Sequence, residues 1–130
     1  SPQMNFLVAV IVKEGSGYAA QVGGSTVALP ARMNEAAAPY AGKTVVLGIR
    51  PEDIIAADAG QADASGITST VEIAELMGAE ISLHVNCQGS QLVIRAEPTF
   101  KGREGDTAIL TFKNEKIHLF DKETEQAIAH

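Results

Sequence analysis

The chain repeats itself. Gly42-Lys43-Thr44-Val45-Val46-Leu47-Gly48-Ile49-Arg50-Pro51-Glu52-Asp53-Ile54 and Gly105-Asp106-Thr107-Ala108-Ile109-Leu110-Thr111-Phe112-Lys113-Asn114-Glu115-Lys116-Ile117 share Gly, Thr, Leu, Glu and Ile in register, 63 residues apart. A second pair, Gly24-Ser25-Thr26-Val27-Ala28-Leu29 and Gly89-Ser90-Gln91-Leu92-Val93-Ile94, recurs upstream in the same order at an offset of 65, which places a small insertion between the blocks. Self-similarity at a fixed spacing is the mark of one supersecondary unit used twice. Each copy reads as a hairpin, a loop, and an apolar strand that ends in a charged turn. In the first copy that turn is Arg50-Pro51-Glu52-Asp53, where an arginine before a proline is biased out of the helical region.

The remaining segments are short, apolar and β-branched. Residues 5–12 form one such run, ended by the glycine-rich turn Lys13-Glu14-Gly15-Ser16-Gly17. Residues 18–22 and 25–29 flank Gly23-Gly24, which is read as supplying the positive φ angles of a two-residue hairpin. Residues 31–41 are alanine-rich and read as a loop or one helical turn, because Pro39 prevents anything longer. Residues 67–77 read as a strand, and residues 80–87 alternate, with Ile81, Leu83, Val85 and Cys87 on one face. Gln88-Gly89 is a tight turn, and residues 90–97, 107–112 and 117–120 are further strands before a charged tail. Residues 59–65 are small, polar and without periodicity, and read as a linker between units at about 1–58 and 66–121. About five short strands per unit fit an OB-type barrel, in which a small sheet loses its edges, so the fold class is all-β with two tandem OB-like units.

A chain of 130 residues with 45% hydrophobic and 20% charged side chains can build a core without staples. No apolar run reaches the roughly 18 residues a membrane span needs. The formal net charge of −6 opposes binding to a phosphate backbone, and 5% aromatic residues leave few stacking platforms for single strands, so nucleic acid is not an expected partner. Cys87 is the only cysteine and can form no intrachain disulfide. Together with the lack of a signal-like segment this suggests a cytoplasmic setting, and Ser1-Pro2-Gln3 reads as the continuation of a longer polypeptide.

Candidate chemistry is sparse. His84, His118 and His130 are scattered, and none has a second ligand at the short spacing of a metal motif, so no metal site is expected from them. Cys87 falls in line with Ile81, Leu83 and Val85 and reads as a buried hydrophobe rather than a nucleophile. Glu72, Glu75 and Glu80 read as a solvated face. Gly15-Ser16-Gly17 and Gly23-Gly24-Ser25 lack the lysine and following helix of a phosphate-binding loop. Phe6, Leu7 and Val8 are too apolar for a frayed terminus, and either join the barrel, the preferred reading, or form a patch that a partner covers. Arg50, Pro51, Glu52 and Asp53 are the candidate interaction residues. Pro51 ends the strand, the two carboxylates bond nearby backbone, and Arg50 is free to hold a partner's carboxylate.

Ser1-Pro2-Gln3-Met4-Asn5-Phe6-Leu7, Leu47-Gly48-Ile49-Arg50-Pro51-Glu52-Asp53, residues 72–80 and His118-Leu119-Phe120-Asp121 together resemble, in order and spacing, the C-terminal extension of the ATP-binding subunits of sugar and glycerol-phosphate ABC importers. That extension is the transport-associated OB (TOBE, MOP-like) domain of the maltose-importer ATPase type, and the likeness covers nearly the whole chain. The resemblance implies a non-catalytic regulatory and dimerisation module, without cofactor of its own, on a nucleotide-binding domain that this chain does not contain; ATP and Mg would be bound there. It implies as partners that domain, a second ATPase subunit, the membrane permease subunits indirectly, and a regulatory protein, at the cytoplasmic side of the plasma membrane. A second reading is a sensor of small oxyanions such as molybdate, which related paired barrels bind, using backbone N–H donors.

Overall fold

Alternation decides the first strand. In β1 (Asn5–Glu14) Leu7, Ala9 and Ile11 turn inward and are buried, while Phe6 and Val8 remain on the outside. The computed structural model, which describes residues 3–61 and 66–130, continues with β2 (Gly17–Val22), β3 (Ser25–Ala28), β4 (Thr44–Ile49) and β5 (Ile54–Asp58). The second copy follows as β6 (Ile67–Met77), β7 (Glu80–Cys87), β8 (Ser90–Ala96), β9 (Thr107–Phe112) and β10 (His118–Asp121), with a last strand β11 (Ala127–Ala129). Named strands pair only antiparallel, in two sheets that curl into half-barrels. One runs β11-β10-β4-β1-β2-β3 and the other β5-β9-β6-β7-β8.

The two orders are one order used twice. Matching β1 to β6, β2 to β7, β3 to β8 and β4 to β9 leaves β10 beside β4 and β5 beside β9. Each unit therefore lends its last strand to the other unit's sheet. The crossings are made at two 3-10 turns, Pro51–Asp53 and Asn114–Lys116, which stand 63 residues apart as the repeat requires. At the first, Arg50 is extended at φ −80 and ψ 154, Pro51 is buried, and the Asp53 N–H donates to the Arg50 carbonyl at 2.9 Å. The Lys113 N–H then donates to the Asp53 carbonyl at 3.0 Å, tying one corner to the strand that leads into the other.

The core does not divide at the repeat boundary. Leu47, Ile49 and Ile54 belong to the same contiguous cluster as Leu83, Leu92, Ile94, Leu110, Ile117 and Leu119. The hairpin tips of the two copies also meet, since a Cβ on Gly23 would lie 2.4 Å from Oε1 of Gln88. Across the second gap, the Asn5 side-chain amide donates to the Val93 carbonyl and its oxygen accepts the Val93 N–H, both at 2.8 Å. Asn5 thus acts as one more strand residue against the edge of β8, which explains a buried amide in an apolar strand.

Several expectations needed adjustment. Residues 31–40 form three consecutive turns, a 3-10 turn Ala31–Met33, α1 (Asn34–Ala37) and a 3-10 turn Ala38–Tyr40, with Pro39 at the start of the last, where its missing N–H costs nothing. Of Gly23-Gly24 only Gly23 takes positive φ, at 59°. At the equivalent tip both Gln88 (53°) and Gly89 (87°) do so, so the type I′ geometry falls there. Strands β5 and β11 go beyond the sequence expectation: their alanines are weak in β preference, and pairing with β9 and β10 extends them. The segment read as a linker starts with a 3-10 turn, Ala59–Gln61, and its residues 62–65 lie outside the described residues.

Exchanged strands and a shared core predict one cooperative unfolding transition. Leu47 and Leu110 occupy equivalent places and are both fully buried. Leu47→Ala and Leu110→Ala should each cost about 2–5 kcal/mol in urea titrations followed by circular dichroism, with a single transition in both variants. A biphasic curve would show that the two units unfold independently.

Candidate interaction site

The corner carrying Arg50, Pro51, Glu52 and Asp53 differs from its copy in what its side chains do. In the second corner Asn114 donates to the Ala28 carbonyl of β3, and Glu115 pairs with Arg32. The Arg32 guanidinium also donates to the Glu115 carbonyl at 2.9 Å and to the His130 carbonyl at 3.2 Å. In the first corner Pro51 is buried against β8, and the Glu52 carbonyl accepts from Lys113 Nζ at 3.4 Å. Among the described residues Arg50 makes no ion pair, and the carboxylates of Glu52 and Asp53 make no hydrogen bond to backbone. The expected carboxylate-to-backbone bonds are therefore not found there; instead the main-chain carbonyls of Glu52 and Asp53 accept from Lys113 Nζ and the Lys113 N–H. The four residues stand together as a corner whose three charged side chains make no ion pair among the described residues.

A histidine pair that the sequence spacing concealed lies beside this corner. Leu119 is paired with Ala129 across β10 and β11, so the next residues outward, His118 and His130, face each other. Their Nδ1 atoms are 2.8 Å apart and the ring centroids 5.0 Å apart. Burial pushes the His118 pKa down, and the charges of His130, Arg50 and Arg32 act in the same direction, against an opposing contribution from Asp53. His84 stands elsewhere, half-buried between Ile73 and Val93 on β7.

The motif His118-Leu119-Phe120-Asp121 now has a physical role for each residue. Leu119 is in the core, and Phe120 meets Phe6 edge-on at 5.8 Å between centroids. Asp121 shapes the turn into β11, its Oδ1 accepting the N–H groups of Glu123 at 2.9 Å and Thr124 at 3.0 Å. Its Oδ2 accepts the Tyr40 hydroxyl at 2.9 Å, and these bonds hold its carboxyl below the ordinary range. Gly48 makes the adjoining packing possible, because a Cβ there would lie 2.5 Å from the Met4 sulfur and 2.9 Å from the Phe120 ring.

Phe6, Val8, Val46 and Phe120 give the outer face of the first sheet an apolar patch, with Phe6 55% and Val8 53% exposed. The opening segment is divided between the two places: Leu7 joins the core, while Phe6 and Val8 stay exposed as a patch. By strand register the equivalents in the second copy are Gly66, Thr68, Ile109 and Ala57. The unit folds without the patch, so the patch is a property of the first copy alone. Beside it is a hollow of about 460 Å³ lined also by Asp121, Lys122 and Glu125.

The other candidates take structural places. Cys87 is buried on β7 and burial pushes its thiol up to about 11. Glu72, Glu75 and Glu80 lie along the β6–β7 hairpin, where Glu80 meets Arg95 at 3.3 Å in an exposed pair. Among the described residues no group of three or more His, Cys, Asp or Glu converges as a metal cage, and no helix is long and apolar enough to cross a membrane.

Two outcomes follow for the folded chain. Cys87 should resist a thiol reagent at pH 8 and react fully once the chain is unfolded in urea, as read by mass spectrometry. The unfolded chain protonates His118 at the ordinary value of 6.5 while the folded chain resists, so stability should fall as pH drops through that value. Melting temperatures at pH 7 and pH 5 should show this loss, and His118→Gln should reduce it.

Two family models cover this architecture, the MalK OB fold domain over residues 1–54 and the TOBE domain over residues 47–120. The ABC transporter ATP-binding protein YcjV of Escherichia coli K12 is 36% identical over 66 residues, 51% of this chain and 18% of that protein. The oligosaccharides import ATP-binding protein MsmX of Bacillus subtilis 168 is 32% identical over 64 residues, 49% of this chain and 18% of that protein. These matches span about a fifth of the relatives' length. Among solved structures, the cytoplasmic molybdate-binding protein ModG with molybdate bound shares the fold, with a TM-score of 0.61 at 20% identity over 92% of this chain and 96% of that one. The chain belongs to the TOBE domain family, with a MalK-type OB fold domain as its N-terminal part.

Proposed function

We propose that the chain is the non-catalytic regulatory module of an ABC importer ATP-binding subunit for sugars or related solutes. In this reading it sets how two such subunits pair around nucleotide, from the cytoplasmic side of the membrane. The observation that carries the reading is the run of MalK OB fold and TOBE domain matches along residues 1–120, joined to relatives named as ABC transporter ATP-binding proteins. The oligosaccharide import named for MsmX supports a sugar as the solute class. Nucleotide hydrolysis and its Mg belong, on this reading, to a separate domain with a phosphate-binding loop, which this sequence lacks.

Pairing with a second copy is supported by the patch of Phe6, Val8, Val46 and Phe120. Its rim carries both signs of charge in Asp121, Lys122 and Glu125, which a two-fold axis can set against each other. The corner at Arg50–Asp53 offers an arginine and two carboxylates to the nucleotide-binding domain or to a regulatory protein, with the permease subunits reached through that domain. Phe6→Ser should weaken self-association in sedimentation equilibrium. In the full ATP-binding subunit Arg50→Ala should loosen dimerisation or regulation more than it lowers the melting temperature. Unchanged dimerisation, transport and regulation in the Arg50 variant would sink the role assigned to that corner.

The fold shared with ModG keeps a second reading in play, a sensor of small oxyanions. A thermal-shift series with molybdate, tungstate, sulfate and sugar phosphates separates the two. A saturable shift favours the sensor, and a flat response favours the regulatory module.

A further inference from the structure

We infer that His118 and His130 form a surface site for one divalent transition-metal ion of tetragonal preference, copper(II) before nickel(II) and zinc(II). The inference rests on geometry. The two Nδ1 atoms are 2.8 Å apart on adjacent antiparallel strands. Metal–imidazole bonds are about 2.0–2.1 Å long, so an ion bound to both nitrogens would subtend about 85–90° between them. That is the angle between neighbouring ligands in a square-planar or tetragonal complex, whereas a tetrahedral ion would need the nitrogens about 3.4 Å apart. Imidazole suits copper, nickel and zinc alike, and the general order of affinity places copper(II) first.

The donors are held in place before any ion arrives. Leu119 anchors His118 through the core, and the Arg32 guanidinium fixes the end of β11 by donating to the His130 carbonyl. As the pair stands, one Nδ1–H donates to the other Nδ1; on binding an ion the donating imidazole would move that proton to its Nε2, so that both neutral rings present an Nδ1 lone pair. Because no third protein ligand joins them among the described residues, the remaining positions would be filled by water on the exposed side of His130. Arg32 and Arg50 oppose a cation here and Asp53 favours it, so the site binds reversibly rather than as a structural cage. A bound ion would staple β11 to β10 beside the Arg50–Asp53 corner.

The test is titration of the chain with copper(II), nickel(II) and zinc(II) chloride in a non-chelating buffer, by calorimetry and, for copper, electron paramagnetic resonance. The expected result is one copper per chain, a tetragonal signal with nitrogen ligands, affinity in the order copper above nickel and zinc, and a raised melting temperature. His118→Gln and His130→Gln should each lose the signal, and His84→Gln should keep it. Wild-type copper affinity in either of the first two variants, loss in His84→Gln, tighter zinc than copper, or no saturable binding would overturn the inference. His130→Gln lies at an exposed position, so a loss there with unchanged metal-free melting temperature reads ligation and not folding.

Discussion

Everything in this molecule depends on the two corners at which the chain changes sheet. A strand at the edge of a small sheet exposes unpaired backbone groups, and a five-strand unit has two such edges. Passing the last strand of each unit to the other sheet gives β4 and β9 a second partner, and welds the two copies through backbone hydrogen bonds. The corners must therefore be tight, with an extended residue, a single 3-10 turn and an extended residue again. Pro51 meets that need by restricting its own φ and the conformation of Arg50, and Asn114 meets it by bonding to Ala28.

With the scaffold duplicated, the two copies still differ in what their side chains do. The second corner commits Glu115 to Arg32 and Asn114 to β3, so its polar groups are absorbed in holding the fold. The first corner rests on the buried ring of Pro51 and leaves Arg50, Glu52 and Asp53 for other contacts. The outer sheet faces differ in the same way: Phe6 and Val8 occupy places taken by Gly66 and Thr68 in the other copy.

The features particular to the first copy are joined through one sheet. The patch, the Phe6–Phe120 contact and the histidine pair lie on one sheet, along β1, β4, β10 and the end of β11, and the Arg50 corner leads out of β4. A force applied at the start of β1 is carried across this sheet through in-register hydrogen bonds rather than through loops. The shared core joins that sheet to its partner.

The sequence by itself determined the positions of β1 to β4 and β6 to β10, and the repeat. Alternation and glycine or proline punctuation are local signals, and residues such as Leu83, Val85 and Cys87 announce their burial through period-two spacing. It also marked the Arg50–Asp53 corner as a rigid turn, because proline acts on its own backbone and its neighbour's. Only the tertiary structure decided the strand exchange, since nothing local distinguishes a strand that pairs within its unit from one that crosses over. The same holds for β5 and β11, whose alanines become strands through their partners, and for Asn5, which is satisfied by Val93 far along the chain. His118 and His130 stand 12 residues apart, too far for a local motif. It is the antiparallel return of β11 that brings them together, because pairing register, not sequence spacing, sets which side chains meet across a sheet.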